Sequence, residues 1–215
     1  MMTKYGYQTI GYVTLIVFIL AVAAIFLNNN FIRIPLIIIA VFLLIFTLNF
    51  FRDPERNVPS AENIVVSPAD GKVIVIKEVL DDRFINGKAI QISIFMSPLD
   101  VHVNRIPISG KLDYLRYIEG DYLIASDDKA SEKNERAEFG ISGKYGKILF
   151  TQVAGYVARR IVYEVKVGDN VKMGERFGMI KFGSRVDVVA PIDWKTKVKV
   201  HDRVVAGETI LFEYK

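Results

Sequence analysis

The sequence predicts a transmembrane helical hairpin followed by a mainly-β soluble domain of barrel or sandwich type. Three observations predict it. The first 51 residues contain no Asp or Glu and only two basic side chains, Lys4 and Arg33. Two apolar runs, Tyr12–Leu27 and Ile34–Phe51, lie inside that segment. Beyond Phe51 the chain is charge-rich and divides into short β-rich runs separated by Gly, Pro and Asp turn signals.

Each apolar run, with its flanking Tyr, Thr and Phe, approaches the ~20 residues needed to cross a bilayer. Neither shows a polar stripe of helical period, as a helix half-buried in a soluble core would. The spans are placed at about residues 10–27 and 34–51, joined across "NNNFIR", within a membrane segment 1–51. Both ends of such a hairpin lie on one side of the membrane. Lys4, Arg52 and Arg56 flank that side against Arg33 in the loop, so the positive-inside rule puts the soluble domain in the cytoplasm.

Residues 52–62 begin with the Pro-punctuated "RDPERNVPS" and read as a linker; residues 63–215 form the β domain. Strand-like runs follow at "NIVVSPADGKVIVIKEV", "KAIQISIFMS", "GKLDYLRYI", "GKILFTQVAG", "RIVYEVKV" and "RFGMIKFG". The charged stretch 127–140 reads as a loop. Residues 151–215 carry 12 Lys/Arg against 8 Asp/Glu, which accounts for the whole net charge of +4. That excess suits an anionic membrane surface and is too small, without a motif, to indicate nucleic acid. With no cysteine and only His102 and His201, no metal site is expected, and a metal hydrolase lacks ligands.

One repeat is visible. "VKVGDNVKMGERFGMI" starts at Val165 and "VKVHDRVVAGETILFE" at Val198, sharing V-K-V-x-D-x-V-x-x-G-E. Asp at the turn and Gly nine residues in suit paired strands with tight bends. The pattern resembles the hairpins of lipoyl and biotinyl carrier domains and their barrel-sandwich relatives. His201 takes the turn position of Gly168 and reads as an exposed turn residue.

Three side chains can carry chemistry. Ser184 follows Gly183, whose carbonyl is sterically open; a serine hydroxyl becomes a nucleophile once a base takes its proton. His102, in "DVHVNR", is the natural proton carrier near neutrality and alternates with Val101 and Val103. Asp70 precedes Gly71 between two β runs, a hairpin signal, and its carboxylate could also orient an imidazole.

Six blocks in order, "FFRDPERNVP", "VVSPADGKV", "IFMSPLDVHVNRIPISG", "NERAEFGI", "VAGYVARRIV" and "RFGMIKFGSRVDVVAP", resemble the short, membrane-associated form of phosphatidylserine decarboxylase. The resemblance runs from about Phe50 to Pro191. Arg185 stands where the longer branch has a threonine, which suits the short branch and leaves archaetidylserine as an alternative substrate.

The resemblance implies self-cleavage between Gly183 and Ser184, giving a β chain 1–183 and an α chain 184–215. Ser184 would be the nucleophile and the source of a covalent pyruvoyl group, the only cofactor. His102 would activate it and Asp70 would orient His102. The pyruvoyl ketone would take up the serine headgroup's amine and accept electrons as carbon dioxide leaves. Arg105, Arg159, Arg160 and Arg185 would be candidates for contact with the lipid phosphate or carboxylate, because guanidinium forks suit both. The partners implied are the phospholipid, the membrane and the two chains of one precursor, with a homo-oligomer left open.

Two other readings compete. A pyruvoyl enzyme for a soluble amino acid gives no reason for a membrane hairpin. A non-enzymatic, membrane-anchored, lipoyl-like adaptor predicts an uncleaved chain.

Overall fold

The computed structural model describes residues 1–121, 133–155, 160–181 and 184–214. The chain divides into two compact units, Met1–Glu55 and Arg56–Lys215.

In the first unit a 3-10 turn, Lys4–Gly6, leads into helix α1 (Tyr7–Ile25), and helix α2 follows (Asn30–Phe50). Both are long and apolar enough to cross a membrane, and almost none of either is buried within the protein. Helix α2 starts four residues before the expected span. Asn29 explains this: its side chain accepts the Phe31 amide at 2.9 Å and caps the helix, so Phe31, Ile32 and Arg33 are helical instead of loop. Backbone bonds from Thr3 to the Phe51 carbonyl and from Asp53 to the Met1 carbonyl join the two open ends. Both ends therefore lie together, as a hairpin requires.

In the second unit, residues before Ile64 form no regular element and the described residues then form fourteen strands. They are β1 (Ile64–Val66), β2 (Gly71–Asp81), β3 (Gly87–Met96), β4 (Val103–Arg105), β5 (Gly110–Ile118), β6 (Arg136–Gly143) and β7 (Gly146–Ala154). The rest are β8 (Ile161–Tyr163), β9 (Asn170–Val171), β10 (Arg176–Ile180), β11 (Ser184–Pro191), β12 (Lys195–Thr196), β13 (Arg203–Val204) and β14 (Ile210–Glu213). An eight-stranded sheet has the order β13-β2-β3-β11-β7-β6-β5-β9; two three-stranded sheets have the orders β1-β14-β12 and β4-β10-β8. All pairings between strands are antiparallel.

This order reads the same from both ends once β4–β10 is recognised as a second copy of β1–β3 plus β11–β14. The repeat of 33 residues is the visible part of that duplication. In one copy the Asp169 amide bonds the Lys166 carbonyl and Gly168 has φ +100°; in the other Asp202 bonds Lys199 and His201 has φ +80°. Gly174 and Gly207 occupy equivalent left-handed bends at φ +82° and +76°. Their amides bond the equivalent carbonyls of Ile106 and Ser67. The two copies meet at β7 and β11, where Phe150 faces Val188. The second copy is inserted into the first between β3 and β11, so the chain returns from one copy to the other just before Ser184.

The main core forms on one face of the large sheet. Val186, Val188 and Ala190 of β11, Ile92 and Ile94 of β3, and Ile148 and Phe150 of β7 point into it. Phe139, Phe150 and Phe177 form a mutually packed trio with centroids 5.1–5.3 Å apart. Burying each phenyl ring contributes roughly 1.5–3 kcal/mol.

Two expectations are corrected. The stretch 127–140 is not wholly loop: Arg136–Gly140 belong to β6, because Ala137, Phe139 and Ile141 alternate into the core. Residues 127–132 lie outside the described residues. Asp70-Gly71 makes no hairpin, since β1 pairs with β14 and β2 with β13 and β3. The segment carries the chain from one sheet to another.

Candidate active site

Ser184 opens β11 and is fully buried. It faces Met96 of β3 on one side and Ala154 of β7 on the other. Its hydroxyl donates to the Met96 Sδ at 3.3 Å, which places the side chain on the core face. Met96 also receives the Asn104 Nδ2 at 3.8 Å. The same Nδ2 lies 3.3 Å from the Pro68 carbonyl, and Asn104 Oδ1 accepts from Gln152 Nε2 at 2.8 Å. These polar side chains are buried among apolar ones.

His102, two residues before Asn104, is fully buried, not half-exposed as a simple strand alternation would leave it. Its Nδ1 lies 2.9 Å from the Asp100 carbonyl oxygen. A carbonyl only accepts, so in the neutral ring Nδ1 carries the proton and Nε2 is the basic nitrogen.

The Asp70 carboxylate accepts from Arg56 Nη2 at 2.8 and 3.0 Å, and from the Ala206 amide at 2.8 Å. It is therefore bonded to the start of the β-rich unit and to one repeat hairpin, and His102 is not among its partners. In the other copy Ser109 stands in its place and accepts the Met173 amide at 2.9 Å. The Asp70 segment still reaches the site: the Pro68 carbonyl accepts both the Asn104 side chain and the Arg105 amide.

The arginines lie in different surroundings. Arg105 is buried on β4 and donates to the Gly174 carbonyl at 2.8 Å. Arg185 faces the opposite side of the sheet from Ser184, with Asp187 at 2.6 Å and Ser93 at 2.9 Å. Arg160 is exposed, and its carbonyl accepts the Lys181 amide at 3.1 Å. Burial, then the Arg160 charge, lowers the Lys181 pKa below the ordinary lysine value. Arg159 and Gly183 lie outside the described residues. A cavity of about 290 Å³ lined by Ser60, Ala61, Glu62, Ser109, Lys144 and Met173 contains none of the expected site residues.

Sequence reasoning missed Met96, Asn104 and Gln152. The signal was there for one of them: Gln152 falls at the spacing of the core residues Ile148, Phe150 and Ala154, whereas Asn104 only continues the apolar–polar alternation of V-H-V-N. Met96 carried none, because methionine is ordinary in a core.

The architecture and the buried serine define a class: a duplicated β domain that follows two apolar helices in the chain, with a buried serine hydroxyl where the copies rejoin. A family profile described as phosphatidylserine decarboxylase matches residues 43–212. A phosphatidylserine decarboxylase proenzyme of Chlorobium chlorochromatii is 48% identical over 216 residues, covering 100% of both chains. One of Chlorobium phaeobacteroides is 45% identical with the same coverage. One of Salinibacter ruber is 51% identical over 180 residues, covering 82% of this chain and 79% of its own. The chain belongs to the phosphatidylserine decarboxylase family.

Proposed function

We propose that this chain is a self-processing proenzyme that decarboxylates phosphatidylserine to phosphatidylethanolamine. The observation that carries the reading is Ser184 itself. It is a buried hydroxyl at the first position of a central strand, bonded to a thioether, which holds the oxygen without taking its proton.

His102 removes the Ser184 proton through Nε2, with its tautomer set by the Asp100 carbonyl. The Ser184 oxygen then attacks the carbonyl carbon of residue 183. The C–N bond to Ser184 breaks as the C–O bond forms, and the nitrogen takes a proton to become an amine. Loss of the Ser184 α-proton expels Gly183 as a carboxylate and leaves a dehydroalanine amine. Water replaces its nitrogen, released as ammonia, to leave the pyruvoyl group. The residues present fit this origin: the hydroxyl, the adjacent glycine in sequence and a buried histidine are all supplied by the chain. Once formed, the group supplies a ketone that serves as an electron sink for loss of carbon dioxide from an α-amino acid headgroup.

Asp70 orients His102 through its segment on this reading. Its carboxylate fixes residues 67–70, whose Pro68 carbonyl holds the strand that follows His102. Arg160 and Arg159 are the candidates for the lipid phosphate; Arg105 and Arg185, buried and bonded within the domain, would have to exchange partners to take part. The paired hairpins are a barrel-sandwich device of lipoyl type used to frame a cleavage site. The two apolar helices hold the protein in the membrane, with the β domain on the cytoplasmic side.

The purified wild-type chain should run as two pieces of ~20 and ~4 kDa at ~110 Da per residue. Ser184→Ala should run as one piece and release no carbon dioxide from phosphatidylserine vesicles. An active preparation in which every molecule has an unbroken 183–184 bond would sink the reading. Turnover of free serine as fast as of the vesicles would favour a soluble substrate.

A further inference from the structure

The buried amides around Ser184 are costly for a core to hold. Asn104 and Gln152 are fully buried on an apolar face. Gln152 Oε1 accepts no hydrogen bond among the described residues. A buried amide left partly satisfied lowers stability relative to an apolar side chain of similar shape, so the pair is not there for stability. What the pair does is visible. Gln152 fixes Asn104 at 2.8 Å, Asn104 reaches the Met96 sulfur at 3.8 Å, and that sulfur holds the Ser184 hydroxyl at 3.3 Å. Met96 is flexible and would sample several rotamers in an apolar cavity. Here its sulfur has a donor on each side.

We propose that Met96, held by the Asn104–Gln152 pair, positions the Ser184 hydroxyl for self-cleavage and has no part in lipid turnover. A thioether is a weak acceptor and does not take a proton at any working pH. It therefore selects the rotamer that keeps the oxygen in place and releases the proton readily to a base. An apolar neighbour would let the hydroxyl turn towards a backbone carbonyl. Once Ser184 has become a pyruvoyl group the hydroxyl no longer exists, so the arrangement matters only during maturation.

The inference rests on self-cleavage at Ser184. Its test separates maturation from turnover in the full-length protein. Met96→Leu removes the acceptor at nearly constant volume, and Met96→Gln restores an acceptor of similar reach. Cleavage is followed on gels from freshly synthesised protein. Carbon dioxide release is measured per pyruvoyl group, titrated with hydroxylamine after cleavage has finished.

Met96→Leu should cleave ~3- to 10-fold more slowly, a loss typical of one weak hydrogen bond. Turnover per pyruvoyl group should stay within twofold of wild type, and Met96→Gln should recover part of the cleavage rate. Asn104→Leu should show the same split. Wild-type cleavage rates in Met96→Leu would overturn the inference while leaving the proposed function intact. Equal losses in cleavage and in turnover per group would also overturn it, by showing a general packing defect. Absence of cleavage in the wild type would remove the proposed function itself.

Discussion

At the scale of single residues the decisive feature is where each polar group finds its partner. His102 depends on the Asp100 carbonyl for its tautomer, so His102→Ala should abolish cleavage, read as a single full-length band. Arg56 and Asp70 form a mostly buried pair at 2.8 Å. Arg56→Gln should leave Asp70 with the Ala206 amide alone and slow maturation several-fold, on the same gel assay. Lys181 gives a test in solution. Burial and the neighbouring Arg160 disfavour its charged form, so it loses its proton below the ordinary lysine range. Stability from this group rises as pH climbs between its folded and unfolded pKa, because the unfolded chain then binds more protons. In competitive acylation at mildly alkaline pH, Lys181 should react ahead of the exposed lysines, and Arg160→Gln should narrow the gap.

At the scale of elements the repeat hairpins explain positions that look unequal in sequence. His201 adopts φ +80° at the bend where the other copy has Gly168. His201→Gly should therefore stabilise the domain by ~1 kcal/mol, the strain of a left-handed non-glycine residue, measured by urea unfolding. Gly174 should behave oppositely. Its φ is +82° and an added Cβ would strike Val58, so Gly174→Ala should cost ~1–3 kcal/mol. The phenylalanine trio ties β6, β7 and β10 together, and Phe139→Ala should cost ~3–5 kcal/mol by opening a cavity. Most strands were legible from alternation and turn residues. β6 was not fully so, because its outward Arg136 and Glu138 continue the charged run before it. Glu138 nevertheless stays folded into the sheet, bonded to Arg83 and Tyr114 at 3.0 and 2.8 Å.

At the scale of the whole molecule, two units of opposite character share one chain. The helices expose apolar side chains, among them Phe18, Ile19, Ile38 and Phe42, at more than half of their surface. Such a surface belongs in lipid. The full chain should remain in the membrane pellet after an alkaline carbonate wash. Arginine at both Ile19 and Ile38 should release it, since each charge near the span centre costs ~2.5–3.5 kcal/mol.

The sequence alone determined the two helices long and apolar enough to cross a membrane, the β class of the domain, one hairpin repeat and the blocks that carry the family resemblance. Those rest on local patterns: apolar run length, alternation of two, turn residues and short motifs. Only the tertiary structure decided that the repeat extends to whole seven-strand copies, one inserted in the other. It alone decided that Asp70 bonds Arg56, that Ser184 lies between β3 and β7, and that Met96 holds its hydroxyl with Asn104 and Gln152 behind. Each of these depends on contacts between residues far apart in the chain, and strand register, not sequence spacing, sets which of them meet.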